Sequence, residues 1–271
     1  MGRKIYGFVL SLVVFVSLLL LQPLPPVHAA STLVQQNNAG CTSVTACSGG
    51  LLVNFTNPVT SGDVAVVGVD IATVNLGDSI NSVADSSGSS FTQAVSSTTS
   101  STKAYIYYAI LTSSGTDNVS ATFNLCSGDC GPVNVDVYIY EISGVTTAGV
   151  ATEVGSGSSG GAIATGSTAF SAGAFLLGVF AANPTSFLPP VSASAGTGFS
   201  LSTQNSGSGT GYAETATGLT SPTTFPATIG SNTVSWAEAG IALEPGTIVV
   251  TTLSSTVVST ESPSIVLTGS T

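Results

Sequence analysis

The ionisable residues of this chain limit the chemistry that it can perform. Its 271 residues include 13 Asp+Glu, but only one His and three Lys+Arg. His28, Arg3 and Lys4 lie in an N-terminal segment that we predict to be removed, which leaves Lys103 as the one basic residue. Ser-His-Asp and Cys-His sites need an imidazole to move a proton, and zinc sites usually use His or clustered Cys. We therefore predict that the protein is not an enzyme and has no cofactor.

Four cysteines occur in two closely spaced pairs, Cys41 with Cys47 and Cys126 with Cys130. An even number of cysteines in an exported chain is typical of disulfides, and four cysteines allow three connectivities. Local pairing is the first choice because each pair flanks a turn-rich loop. A four-cysteine metal site is the weaker alternative, since neither spacing is Cys-x-x-Cys.

The acidic residues are scattered along the chain. Two carboxyl groups can hydrolyse a glycoside without His or Lys, but no two acids form a close motif, and Glu141 and Glu238 are predicted as isolated rim residues. Calcium would be a simpler use of acids such as Asp85, Asp117 or Asp129, although no EF-hand spacing is present.

Lys103 has two interpretations. It could form an isopeptide bond with an Asn or Asp side chain near a buried acid such as Glu141, within the chain or between subunits. The simpler interpretation is a solvated Lys at the start of the predicted strand Lys103–Thr112.

Four tyrosines occupy alternate positions of two predicted strands. Tyr105 and Tyr107 share one face of their strand, and Tyr138 and Tyr140 share the polar face of another. If the strands were neighbours, the rings could form a surface that stacks on sugar rings. The alternative is a set of cross-strand aromatic pairs that stabilise a sheet.

Residues 1–30 have the pattern of a secretory signal peptide. Arg3 and Lys4 precede the apolar stretch Ile5–Leu21, and small residues near Ala29 offer a cleavage site. No other long apolar stretch follows, so the mature protein is predicted to be extracellular and not to span a membrane. Nucleic-acid binding is excluded because it requires a basic surface.

The remainder of the chain is predicted to be all-β. Short β-rich runs alternate with clusters of Gly, Ser, Thr, Asn and Pro, without helical periodicity or a clear internal repeat. This pattern favours one β-sandwich over residues 31–245, with Gly155–Gly161 and Gly196–Gly211 as loops. The predicted strands are Leu51–Phe55, Asp63–Ile71, Lys103–Thr112, Val119–Phe123, Val133–Ser143, Phe175–Ala182, Tyr212–Thr217 and Val234–Leu243.

A Ser/Thr-rich β tail follows the sandwich at residues 246–271. In an extended Thr247–Val258, Val249, Leu253 and Val257 lie on one face and could fill a groove in another subunit. The predicted donor-strand residues are Ile248, Val249, Val250, Leu253 and Val257. The N-terminal segment Ser31–Asn38 is the alternative donor, with fewer apolar side chains, and a tail that completes its own domain is also open.

Two N-glycosylation motifs are present, at Asn54-Phe55-Thr56 and Asn118-Val119-Ser120. Both abut predicted strands of an exported chain, so Asn54 and Asn118 are candidate glycan acceptors. Unmodified surface Asn residues are the alternative.

The order of several motifs resembles a jelly-roll domain that is widespread in prokaryotic surface proteins, over roughly Leu33 to Pro245. The motifs are Thr60-Ser61-Gly62-Asp63 before an apolar strand, Val83–Gly88 followed by Phe91-Thr92, Ala104–Ala109, Tyr140–Val145, Phe175–Val179 and Trp236–Leu243. With the export signal and the tail, the whole chain also resembles a subunit of archaeal thread pili, whose β subunits are joined by donor strands and carry N-glycans.

The resemblance implies a structural subunit of a cell-surface filament. Copies of the same chain would be its partners, joined head to tail by donor strands. The alternative is a monomeric adhesin or carbohydrate-binding module that uses an aromatic sheet face to bind surface glycans.

Overall fold

The computed structural model describes residues 27–28, 30–73, 77–126, 133–184, 193–202, 211–219, 221, 223–229 and 233–248. Residues His28–Thr247 form one compact unit. Most of the predicted signal peptide and the tail beyond Ile248 lie outside the described residues. Among the described residues, no helix is long and apolar enough to cross a membrane.

The described elements are almost entirely strands, with one four-residue helix. In chain order they are β1 Val27–His28, β2 Thr32–Cys41, α1 Val44–Cys47, β3 Leu51–Asn54, β4 Val64–Thr73, β5 Ser79–Asp85, β6 Thr92–Thr98, β7 Thr102–Ile110, β8 Asn118–Asn124, β9 Val133–Ser143, β10 Ala151–Gly157, β11 Gly161–Ala164, β12 Phe175–Pro184, β13 Ala193–Ala195, β14 Ser200–Leu201, β15 Gly211–Thr217, β16 Pro226–Ile229, β17 Thr233–Leu243 and β18 Thr247–Ile248. The predicted all-β class is confirmed.

Four antiparallel sheets build the compact unit. Sheet I has the order β3-β8-β5, sheet II β2-β9-β4-β7-β6, sheet III β10-β17-β12-β15-β14 and sheet IV β11-β16-β13. The two-residue strands β1 and β18 form a further small sheet.

The four sheets stack because both faces of the long central strands are apolar. In β4, Val67 and Val69 pack into the core between sheets I and II, while Val66 packs into the core between sheets II and III. The core between sheets III and IV contains Phe180 and Phe225. The result is a sandwich of four layers with three cores.

The two halves of the unit have the same strand order. When the strands of each half, β2–β9 and β10–β17, are counted from one to eight, the large sheet has the order 1-8-3-6-5 and the small sheet 2-7-4 in both. The strand order therefore repeats, although the sequence shows no clear internal repeat. Two sandwiches of the same strand order stack through their large sheets. The jelly-roll connectivity implied by the resemblance stays a prediction.

The eight predicted strands are all present, and Val133–Ser143 has the predicted bounds. The predicted loop Gly155–Gly161 instead contains the end of β10 and the first residue of β11. The N-terminal segment Ser31–Asn38 contributes to β2, which pairs with β9 from Thr32↔Ser143 to Cys41↔Val135.

The polar face of β9 is not at the surface. Val133, Val135, Val137 and Ile139 face sheet I, and Tyr138 and Tyr140 on the other face are fully buried between sheets II and III. The predicted sugar-stacking surface is therefore wrong for these two tyrosines, because a second large sheet covers the face. Tyr105 and Tyr107 pack on the opposite side, against the core beneath sheet I.

Candidate functional site

The first predicted disulfide is present. Cys41, the last residue of β2, is bonded to Cys47 at the end of α1, with a Cα–Cα separation of 5.5 Å. Ser43 caps the start of this short helix, and its hydroxyl accepts a hydrogen bond from the Ala46 N–H at 3.1 Å. Cys126 is also disulfide-bonded, and Cys130 lies outside the described residues. The Cys41–Cys47 bond fixes the end of an edge strand of sheet II.

The two predicted glycan acceptors lie directly opposite each other. Asn54 of β3 and Asn118 of β8 are cross-strand partners in sheet I. Asn54 is exposed and Asn118 is half-buried, whereas Val53 and Val119 on the other face are buried in the core. Because directly opposed side chains point to the same side of a sheet, both acceptors project from one place on its outer face. Glycosylation stays a prediction.

Lys103 is buried, contrary to the solvated interpretation, and its Nζ donates a hydrogen bond to the main-chain oxygen of Asp78. Burial lowers the pKa of Lys103, and the nearby Asp78 partly opposes this shift. The predicted proximity to Glu141 is wrong. Lys103 is the cross-strand partner of Ile71, and Glu141 is the cross-strand partner of Ala65. Because Ile71 and Ala65 are six residues apart on β4, Lys103 and Glu141 are separated by roughly 20 Å along the strand direction. An isopeptide bond through Lys103 stays a prediction.

The candidate calcium ligands have structural roles. The Asp85 carboxylate accepts hydrogen bonds from the Ser87 hydroxyl and the Ser89 N–H, and Asp117 accepts from the Ser86 N–H and hydroxyl. Asp129 lies outside the described residues. Within the part of the chain that the structure describes, no group of three or more His, Cys, Asp or Glu side chains could hold a metal ion.

The two acids predicted at the rim, Glu141 and Glu238, are both fully buried. Glu141 lies under the start of β2, where its carboxylate accepts hydrogen bonds from Gln35 Nε2 at 2.5 Å and from the Thr60 N–H at 2.7 Å. Glu141 therefore connects β9 to β2 and to the loop before β4.

Sequence reasoning missed a pair of acids between sheets II and III. Asp70 of β4 and Asp136 of β9 are direct cross-strand partners. Asp70 is fully buried, and its two carboxyl oxygens have no hydrogen-bond partner among the described residues. The Tyr138 hydroxyl is close, but it makes no hydrogen bond of normal geometry with Asp70. Gly211 of β15 also approaches from sheet III, where a Cβ atom would collide with the Asp70 carboxyl group.

A second buried acid pair lies between sheets III and IV. Glu214 of β15 and Glu238 of β17 lie on either side of β12, opposite Gly178 and Phe180 respectively, and on the same face of sheet III. Glu214 Oε2 accepts a hydrogen bond from the Gly196 N–H at 3.1 Å. Among the described residues, Glu214 Oε1 and both carboxyl oxygens of Glu238 have no partner.

A sequence signal for both pairs exists. Asp70 stands between Val69 and Ile71 in a continuous apolar run, and Glu238 stands between two Ala residues. A single acid within an apolar strand indicates a carboxyl group that enters a core.

The outer edge of sheet III differs from that of sheet II. In sheet II, the edge strand β6 has seven residues and pairs along β7. Within the described residues, the equivalent strand β14 has two residues, paired at Ser200↔Thr215 and Leu201↔Glu214, and the Ser202 N–H donates a hydrogen bond to the Ala213 carbonyl. Residues 203–210 lie outside the described residues. Residues Ala216 and Thr217 of β15 lie beyond these pairs. A depression of about 230 Å³ occurs there, and its lining includes Leu33, Phe175, Ser200 and Ala216.

The predicted donor tail is only partly within the described residues. Ile248 is the last residue of β18, and Val249, Val250, Leu253 and Val257 lie outside the described residues.

No family model, curated protein or solved structure matches the chain.

Proposed function

We propose that this protein is the structural subunit of an extracellular filament, in which each copy contributes a strand to a sheet of the next copy. The main support is the edge of sheet III as far as the structure describes it, where β14 has two residues and its counterpart β6 has seven. An incomplete edge offers main-chain groups, and the depression beside Ala216 is lined by both apolar and hydroxyl side chains. An added strand pairs with such main-chain groups and places alternate side chains against the neighbouring surface.

The C-terminal tail is the proposed donor. The 23 residues after Ile248 could span about 75 Å when extended, which is enough to reach a neighbouring molecule. The face that carries Val249, Leu253 and Val257 would fill the depression lined by Leu33, Phe175 and Ala216. Such a contact joins two different surfaces, and a contact of this kind builds an open filament when the rotation between copies does not close a ring.

The N-terminal alternative is less favoured because β2 already has a place in its own chain. Residues Thr32–Cys41 pair with β9, and the Cys41–Cys47 disulfide fixes the end of the strand. Release of this segment would break its main-chain hydrogen bonds and expose Gln35, which is buried. Export, N-glycans at Asn54 and Asn118, and a location on the cell surface belong to the same proposal.

The first prediction concerns the tail. Deletion of Thr247–Thr271 from the chain that starts at Ser31 should leave a monomer, because the donor strand is removed. A synthetic peptide of residues 247–260 should then bind the truncated monomer and raise its melting temperature. Sedimentation velocity, negative-stain electron microscopy and thermal unfolding measure these results.

Point variants provide a matched control for this deletion. Leu253→Asp with Val257→Asp should abolish filaments, whereas Ser254→Asp with Thr256→Asp on the opposite face should retain them. Cysteines placed at Leu253 in one sample and at Ser200 in another should form an intermolecular disulfide when the samples are mixed. Filaments that persist after the deletion would contradict the tail as donor and would make Ser31–Asn38 the next segment to delete.

A further inference from the structure

The two buried acid pairs have no cationic partner facing them. Lys103 is the only Lys or Arg in the described residues. It pairs with Ile71, whose side chain enters the core between sheets I and II, so Lys103 points away from Asp70. The ionisable groups on the same side as Asp70 and Asp136 are the tyrosines Tyr138, Tyr140 and Tyr108. From sheet III, the described residues that face the pair contribute no charge.

The surroundings of the second pair are equally free of positive charge. Tyr212 of β15 and Glu153 of β10 face the same side of sheet III as Glu214 and Glu238. Sheet IV contributes apolar residues and the Gly196 N–H, and the Phe225 ring lies against Gly178 and Gly240. A buried ionised carboxylate without a cation or sufficient hydrogen bonds costs several kcal/mol, so such a group instead becomes neutral.

A neutral state requires either protons or a bound cation, and the geometry favours protons. Each site offers two carboxyl groups, and the described residues contain no group of three possible metal ligands. A calcium ion takes six to eight oxygen ligands. Asp70 and Asp136 are directly opposed in sheet II, and like charges at such positions are unfavourable, so this pair suits a shared or fully protonated state. Glu214 and Glu238 are separated by β12 but lie on the same buried face, where burial raises the pKa of Glu238 and the charge of Glu214 raises it further.

We propose that Asp70 with Asp136, and Glu214 with Glu238, are structural proton-binding sites, so that the fold is complete only when these pairs are protonated and loosens as the pH rises. One pair lies between the two halves of the molecule and the other lies inside the second half. Protonation therefore strengthens two of the three cores.

The direction of the pH effect follows from burial. Desolvation raises the pKa of Asp136 to about 7 and that of Glu214 to about 8, and it raises the pKa of Asp70 and of Glu238 well above the ordinary range. In the unfolded chain these groups titrate near pH 4. The folded state therefore binds more protons between about pH 4 and pH 8, and stability is highest at the acidic end and falls as the pH rises through this window.

The second prediction tests this proposal. Chemical unfolding of the whole mature chain at pH 4 to 8 should show a folding equilibrium constant that is at least about 100-fold smaller at pH 7 than at pH 5. Two double variants, Asp70→Asn with Asp136→Asn and Glu214→Gln with Glu238→Gln, remove one pair each. In each variant the ratio of the folding equilibrium constants at pH 5 and pH 7 should be smaller by about tenfold or more, because amides do not ionise. Glu153→Gln on β10 is the matched control and should leave the dependence unchanged.

Infrared spectroscopy provides a second measurement if an amide variant fails to fold. The C=O stretch of protonated carboxyl groups should be visible in the folded parent protein at pH 6 and should weaken in Asp70→Asn alone. A stability that is constant or rises from pH 5 to 7, or a spectrum without this band, would overturn the proposal. Restoration of stability at pH 8 by calcium, with loss on chelation, would assign the pairs to a metal and also overturn it.

Discussion

Replacement of Phe225 by alanine is expected to lower the free energy of unfolding by about 3–5 kcal/mol. The ring is fully buried between sheets III and IV, and it packs 5.7 Å from the ring of Phe199. It fills the space over Gly178 and Gly240, where a Cβ atom on Gly240 would collide with it. Truncation leaves a cavity that a sheet made of paired strands cannot close.

The same replacement should also change the response to pH. The cavity would lie beside Glu214 and would admit water, so the pKa of Glu214 should fall from about 8 towards its ordinary value. Urea unfolding at pH 5 and pH 7 measures both effects. Leu52→Ala is the matched control, because Leu52 is 57% exposed and its truncation should cost less than about 0.5 kcal/mol. An equal loss in the two variants would contradict the packing role of Phe225.

Replacement of Glu141 by alanine should lower the free energy of unfolding by about 2–4 kcal/mol, because the buried Gln35 amide and the part-buried Thr60 N–H lose their acceptor. The carboxylate accepts hydrogen bonds from the Thr60 N–H and from Gln35, whose amide also bonds to the main chain of Asn57. The loss should be local as well as global. The substitution should accelerate amide hydrogen exchange more in β2 and in the loop 57–60 than in β12.

A conservative variant separates the loss of the acceptor from the loss of the charge. Glu141→Gln keeps one acceptor oxygen and should lose about half as much stability as Glu141→Ala. It should also lower the pKa of Asp63, which is raised by burial and then by the neighbouring Glu141. Uniform acceleration of exchange over all strands in Glu141→Ala would show that Glu141 does not hold β2 in particular.

The sequence predicted the long central strands well. Continuous apolar runs such as Val64–Val69 and the alternation in Val133–Ile139 define strands directly. The edge strands β6 and β10 were missed because they are rich in Ser, Thr and Gly, the residues that also mark loops. The pairing of β10 with β17 also depends on a neighbour distant in the chain, which no local pattern reports.

The burial of Tyr138 and Tyr140 could not be predicted from β9 alone. Alternation of apolar and polar residues indicates one buried face, and here the second face is covered by the other half of the molecule. The repeat that creates this stacking is weak in sequence. The clearest trace is a Gly-Val step within the third strand of each half, Gly68-Val69 in β4 and Gly178-Val179 in β12. Because Gly68 has no Cβ atom, the Val179 side chain of sheet III can lie against it. A Cβ atom at position 68 would be only 2.5 Å from Val179 Cγ2.

The position of β17 has a consequence for mechanical load. This strand precedes the tail and is held on both sides, by β10 from Ala151↔Ala242 to Gly157↔Trp236 and by β12 from Phe175↔Leu243 to Pro184↔Thr233. Hydrogen bonds in antiparallel pairs lie perpendicular to the strands. Tension applied along β17 would therefore act on two rows of bonds in shear and at once, instead of opening them one by one. The end of the compact unit nearest the tail is thus the part best placed to resist being pulled.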